Sequence, residues 1–118
     1  MKIHGREVTF KRTVWADCEL NTYANGSMEQ LTKSLEADYV TSQMTSAKII
    51  AVLSKAAEMA KKYEEPNYEP NPLTEEEALT LSGEEFSKAF AEAIKAWTGE
   101  QPSVVAVPKK TGKKTAQK

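Results

Sequence analysis

SQMTSAKIIAVLSKAAEMAKKY, residues 42–63, carries the strongest periodic signal in the chain and sets its class. Ile49, Val52, Leu53, Ala56, Met59, Ala60 and Tyr63 share one face at 3.6 residues per turn. Lys48, Lys55, Glu58 and Lys62 fall opposite, as a solvated face. The pattern predicts one long amphipathic helix. Ile50 lies outside the stripe, so its exposure is either incidental or the mark of a contact surface.

After this helix comes EEPNYEPNPL, residues 64–73. Pro66, Pro70 and Pro72 impose extended or turn geometry on themselves and on the residues before them. The segment reads as a stiff linker, with Tyr68 placed to pin it to the core. Thr74 with Glu77 forms a capping box that opens a short helix over 74–81. Glu75, Glu76 and Glu77 sit in its first turn, where the helix dipole favours acids. Ser82 with Glu85 forms a further box for a helix over 83–97, which Thr98-Gly99 ends. Phe86, Ala89, Phe90, Ala93, Ile94 and Trp97 make its apolar face. That face is either core alone, or core with one edge offered to a partner. Phe86, Phe90, Trp97 and Ile50 are therefore the candidate partner-binding residues.

Before the long helix, Ser27 with Gln30 boxes a helix over 28–37, with Met28, Leu31, Leu35 and Tyr39 in its stripe. Thr13 caps a helix over 14–24 that Asn25-Gly26 stops. Its apolar residues, Val14, Trp15, Cys18, Leu20 and Tyr23, fall on several faces, the mark of a central helix. MKIHGREVTFKR, residues 1–12, alternates apolar and polar around a His4-Gly5 turn and reads as a β-hairpin lying on helices. The expected fold is mainly α: a hairpin packed on a bundle of about five helices, one domain over 1–99.

The 118 residues carry 16 basic and 17 acidic side chains, a net charge of −1. This balance is uneven along the chain. Residues 1–100 hold eleven basic and seventeen acidic residues, whereas 101–118 hold five lysines and no acid. With Pro102, Pro108, Gly112 and no aromatic residue, the segment from 100 onward is expected to be a disordered basic tail. It is either a solubilising segment or, through Val104, Val105 and Val107, a strand or hook that orders on a partner.

Residue chemistry argues against an enzyme. One Cys and one His leave no disulfide framework and no ordinary zinc site. His4 reads as a polar turn residue and Cys18 as a buried structural thiol. Asp17 and Glu19, two apart, point to different faces of their helix. No phosphate-binding glycine loop, EF-hand or nucleophile elbow is present. No catalytic residue, metal, cofactor or small-molecule substrate is therefore expected. No run of ~20 apolar residues spans a bilayer, and the charged opening is unlike a leader, so the expected compartment is the cytoplasm. The acidic body argues against nucleic acid, and Lys2, Arg6, Lys11 and Arg12 read as a solvated hairpin face. A small nucleic-acid-associated or regulatory adaptor acting through the lysine tail is the alternative to a protein-binding role.

The opening MKIHGREVTFKRTVWADCEL resembles the tail assembly chaperones of tailed phages and prophages of Gram-positive hosts. The resemblance rests on Ile3, Gly5, Phe10, Arg12, Thr13, Val14, Ala16, Cys18, Glu19 and Leu20, and covers the first 20 residues. It implies a mostly helical cytoplasmic protein that holds the tape-measure protein while tube subunits polymerise around it, with the tail-tube protein as a second candidate partner. It also implies a frameshifted longer product, for which Lys109-Lys110 and Lys113-Lys114 are the candidate slippery positions.

Overall fold

A 26-residue helix, Tyr39–Glu64, forms the axis on which every other helix rests. The computed structural model describes residues 1–99; the expected tail, 100–118, lies outside the described residues. In chain order the elements are β1 (Lys2–Ile3), β2 (Arg6–Glu7), α1 (Val14–Tyr23), α2 (Met28–Leu35), α3 (Tyr39–Glu64), α4 (Glu75–Ala78) and α5 (Gly83–Thr98). The fold is mainly helical, with the short antiparallel hairpin at the N-terminus.

The helix starts follow from side chains. Thr13, Ser27, Thr74 and Ser82 each accept from the backbone N–H three residues on, at 3.1–3.2 Å. Asp38 does the same for Thr41 and also takes its hydroxyl at 2.8 Å. That cap moves the start of α3 to Tyr39, three residues before the expected Ser42. The hydrogen bonds from Thr41 hold the Asp38 carboxyl below its usual range. α2 correspondingly stops at Leu35 rather than 37, and α4 at Ala78 rather than 81. α5 closes on Gly99, whose φ of 77° only glycine adopts without strain. In the hairpin, Ile3 pairs with Arg6 across the turn, where His4 and Gly5 both have positive φ. The strands end at Glu7; Val8 to Arg12 run on outside the ladder, with Val8 buried and the Lys11 N–H donating to the Leu53 carbonyl at 3.1 Å.

The core is the meeting of α3 with its neighbours: Leu20, Ala24, Leu31, Ala47, Ile49, Ile50, Leu53, Ala56, Ala89 and Ala93, with Ile3, Val8 and Leu73 closing one side. Here several expectations change. Ile50 is 0% exposed and is not a surface contact. Its place outside the stripe reflects how many helices surround α3, whose buried residues extend well beyond one face. α3, not α1, is thus the central helix. α1 buries only Ala16 and Leu20 along its length, and Val14 is 80% exposed. Cys18 lies about 200° around the helix from Ala16, so it is exposed rather than a buried thiol. Tyr63, expected in the core, is 87% exposed because the last turn of α3 outruns its neighbours.

The proline segment accounts for another difference. The stiff linker folds back along α3 and is held to it by hydrogen bonds. Leu73 donates its N–H to Ser54 at 2.9 Å, and Asn71 donates its own to Glu58 at 2.8 Å. The Tyr68 hydroxyl also donates to Glu58, which pins the segment as its position implied. This carboxylate raises the Tyr68 hydroxyl pKa. Glu58, expected on the solvated face, is consequently buried, with its Oε1 accepting both hydrogen bonds from the returning chain.

Candidate partner-binding surface

α5 is the element whose apolar face the sequence marks for either core or contact. Ala89 and Ala93 are fully buried, and Phe86, Phe90 and Trp97 are half-buried against the core. The small alanines let α5 approach α3 closely, which leaves the aromatic rings along the seam. Phe90 sits between the other two in the helix. Phe86 and Trp97 each reach a cleft at opposite ends of α5.

The cleft at the C-terminal end is about 440 Å³ and is lined by Met28, Leu31, Leu35, Ile49, Ile94 and Trp97, with Arg12, Thr32 and Thr98 at its edge. Arg12 dominates it. Its guanidinium carbon stands 4.0 Å from the centroid of the Trp97 ring, within cation–π range. The same side chain donates to the Trp97 carbonyl and to Asp17, both at 2.9 Å. Arg12 is therefore not part of a free basic patch.

The cleft at the N-terminal end is about 460 Å³ and is lined by Tyr39, Gln43, Leu79, Leu81, Gly83, Phe86 and Ser87. Among the described residues no charged side chain lines it. Tyr39 is 78% exposed, Leu79 is 43% exposed, and Val40 and Met44 next along α3 are also exposed. The chain segments that include its lining residues, 36–44 and 75–87, carry seven acids and no base, with Lys88 following directly. Glu75, Glu77 and Glu84 pair with Lys48, Arg6 and Lys88. Glu36, Asp38, Glu76 and Glu85 have no basic partner among the described residues.

A polar clasp fixes α4, and with it one wall of this cleft. Arg6 donates through Nη1 and Nη2 to the two oxygens of Glu77 at 2.8 and 2.7 Å, and through Nε and Nη2 to the Asn71 and Pro72 carbonyls at 3.2 Å. His4 Nδ1 lies 2.6 Å from the same carboxylate. Chiefly through the Arg6 hydrogen bonds, the Glu77 pKa falls to about 2. Arg6 too is engaged, so two of the four basic residues read as a solvated hairpin face hold the fold together. Nothing in the sequence tied Arg6 to Glu77, because the partners are 71 positions apart.

Of the four candidate contact residues, the structure thus buries Ile50, places Phe86 in an open cleft, places Trp97 under Arg12, and holds Phe90 in the seam. Tyr39 and Leu79 are the residues missed. The signal for Tyr39 was the Asp38 cap, which turns it from the end of one stripe into the first residue of α3. Among the described residues no group of three or more His, Cys, Asp and Glu is placed to hold a metal ion, and no helix is long and apolar enough to cross a membrane. Comparison with protein-family models, curated proteins and solved structures returns no match.

Proposed function

We propose that this protein is a non-enzymatic tail assembly chaperone of a phage or prophage, which holds the tape-measure protein in the host cytoplasm during tail morphogenesis. The observation that carries the reading is the open apolar cleft between Tyr39, Leu79, Leu81 and Phe86 on an otherwise acidic helical body. A holder of this kind covers apolar helical segments reversibly, and such a cleft takes an amphipathic helix by its apolar face. The resemblance of residues 1–20 supplies the family. Several of those residues have structural roles here: Ile3 is buried, Gly5 makes the turn, Arg12 stacks on Trp97, Thr13 caps α1, and Ala16 and Leu20 enter the core, whereas Val14 and Cys18 are exposed.

Expression of the whole tail gene cassette with this chain tagged at its C-terminus tests the reading. A long, helix-rich tape-measure protein is expected to co-purify, with the tail-tube protein as a weaker second partner. Recovery of the chain without the tape-measure protein contradicts it.

A further inference from the structure

The cleft at the Phe86 end has a charge pattern that specifies more than apolarity. Its floor and walls, Tyr39, Leu79, Leu81 and Phe86, offer apolar contact, and among the described residues no cation lines it. The segments that include these lining residues, 36–44 and 75–87, carry acids and no base, and Lys88, which follows directly, is paired with Glu84. Three of those acids pair with Arg6, Lys48 and Lys88, while Glu36, Asp38, Glu76 and Glu85 have no basic partner among the described residues. A ligand with acidic flanks is repelled there, and one with basic flanks is attracted. The cleft at the other end lacks this pattern, because Arg12 lies across its tryptophan.

From this juxtaposition we infer that the Tyr39–Phe86 cleft binds an amphipathic helical segment of a partner protein whose apolar face is flanked by Lys or Arg. The inference rests on the chaperone reading only for which protein carries the segment. The apolar face supplies the contact area. The basic flanks select the segment and fix its direction across the cleft. Binding of this kind weakens with salt, since the acids involved are exposed.

Two synthetic helical peptides test it, sharing one Leu/Phe face and differing only in Lys or Glu flanks. Each is titrated by fluorescence anisotropy against the full chain. The Lys-flanked peptide is expected to bind at least about tenfold tighter at low salt, with the gap closing as salt is raised. The Tyr39→Ser/Leu79→Ser double variant is expected to lose about tenfold in affinity for it while keeping the helical circular dichroism of the parent. Equal binding of the two peptides, or no binding of the Lys-flanked one, overturns the inference. So does a full-chain variant with the five tail lysines changed to Gln that binds the peptide about tenfold tighter; that result assigns the cleft to the chain's own residues 101–118. A concentration-dependent dimer in sedimentation, abolished by Tyr39→Ser, assigns it to a second copy and overturns the inference equally. Co-purification of the tape-measure protein without preference for the Lys-flanked peptide defeats this inference alone. The reverse pair of results defeats the chaperone reading alone.

Discussion

The two ends of α5 are built from the same materials and finished differently. Each has an aromatic ring at the edge of the core and a cleft of similar size beside it. At the Trp97 end, Arg12 stacks on the ring, bonds the Trp97 carbonyl and takes Asp17, so a cation already occupies one face of the ring, beside the Met28, Leu31, Leu35, Ile49 and Ile94 side chains that line the cleft. At the Phe86 end Lys48, Arg6 and Lys88 pair with Glu75, Glu77 and Glu84, and no cation lines the cleft among the described residues. An aromatic residue on an amphipathic helix is therefore not informative by itself about binding. What decides is whether a neighbouring side chain already occupies its exposed face.

The largest expected effect lies between the two ends, in the core they share. Ile50→Glu places a carboxylate where no solvent reaches, and the protein is expected not to fold; Ile50→Ala is expected to cost about 2–5 kcal/mol in urea denaturation. A near-neutral Ile50→Glu would break the comparison at its root, because it would return that residue to the surface. Next is Trp97→Ala, which removes a half-buried ring together with the seat of Arg12. It is expected to cost about 2–3 kcal/mol by the same measurement, with little effect on peptide binding.

The clasp that holds α4 ranks third. Glu77→Gln is expected to cost about 1–2 kcal/mol, discounted because both partners retain solvent contact. Glu77 is depressed from the ordinary 4.5 to about 2, so its contribution is fully present above about pH 4.5. It is lost as pH falls from there towards about 2, and acid titration of Glu77→Gln should show a shallower loss over that window. A parallel loss in both proteins would remove the clasp from the account. Smallest in stability is Tyr39→Ser, expected within about 0.5 kcal/mol of the parent because the side chain is largely exposed, yet expected to weaken binding at the Phe86 end.

How much of this was legible in the sequence depended on the range of the interaction. Caps are local, and Thr13, Ser27, Thr74 and Ser82 all accept where their spacing to the next turn places them. The long stripe of residues 42–63 located the axis of the fold. Periodicity tells which face of a helix is buried, but not how many neighbours it has, and Ile50 was misplaced for that reason. Glu58 and the Arg6–Glu77 clasp were illegible because their partners arrive from chain segments that composition does not connect. Of the site, Phe86 and Trp97 were visible as candidates, while Arg12, which separates their roles, gave no sign in the sequence of its contact with Trp97, 85 positions away.

Amide chemical-shift mapping of the full chain with the Lys-flanked peptide tests the central claim most directly. The predicted result is a continuous set of perturbed amides over residues 39–43 and 79–87, with 28–35 and 94–98 unmoved. Perturbation centred on α2 and Trp97, or spread evenly over the described residues, would contradict the claim that the Phe86 end is the open one.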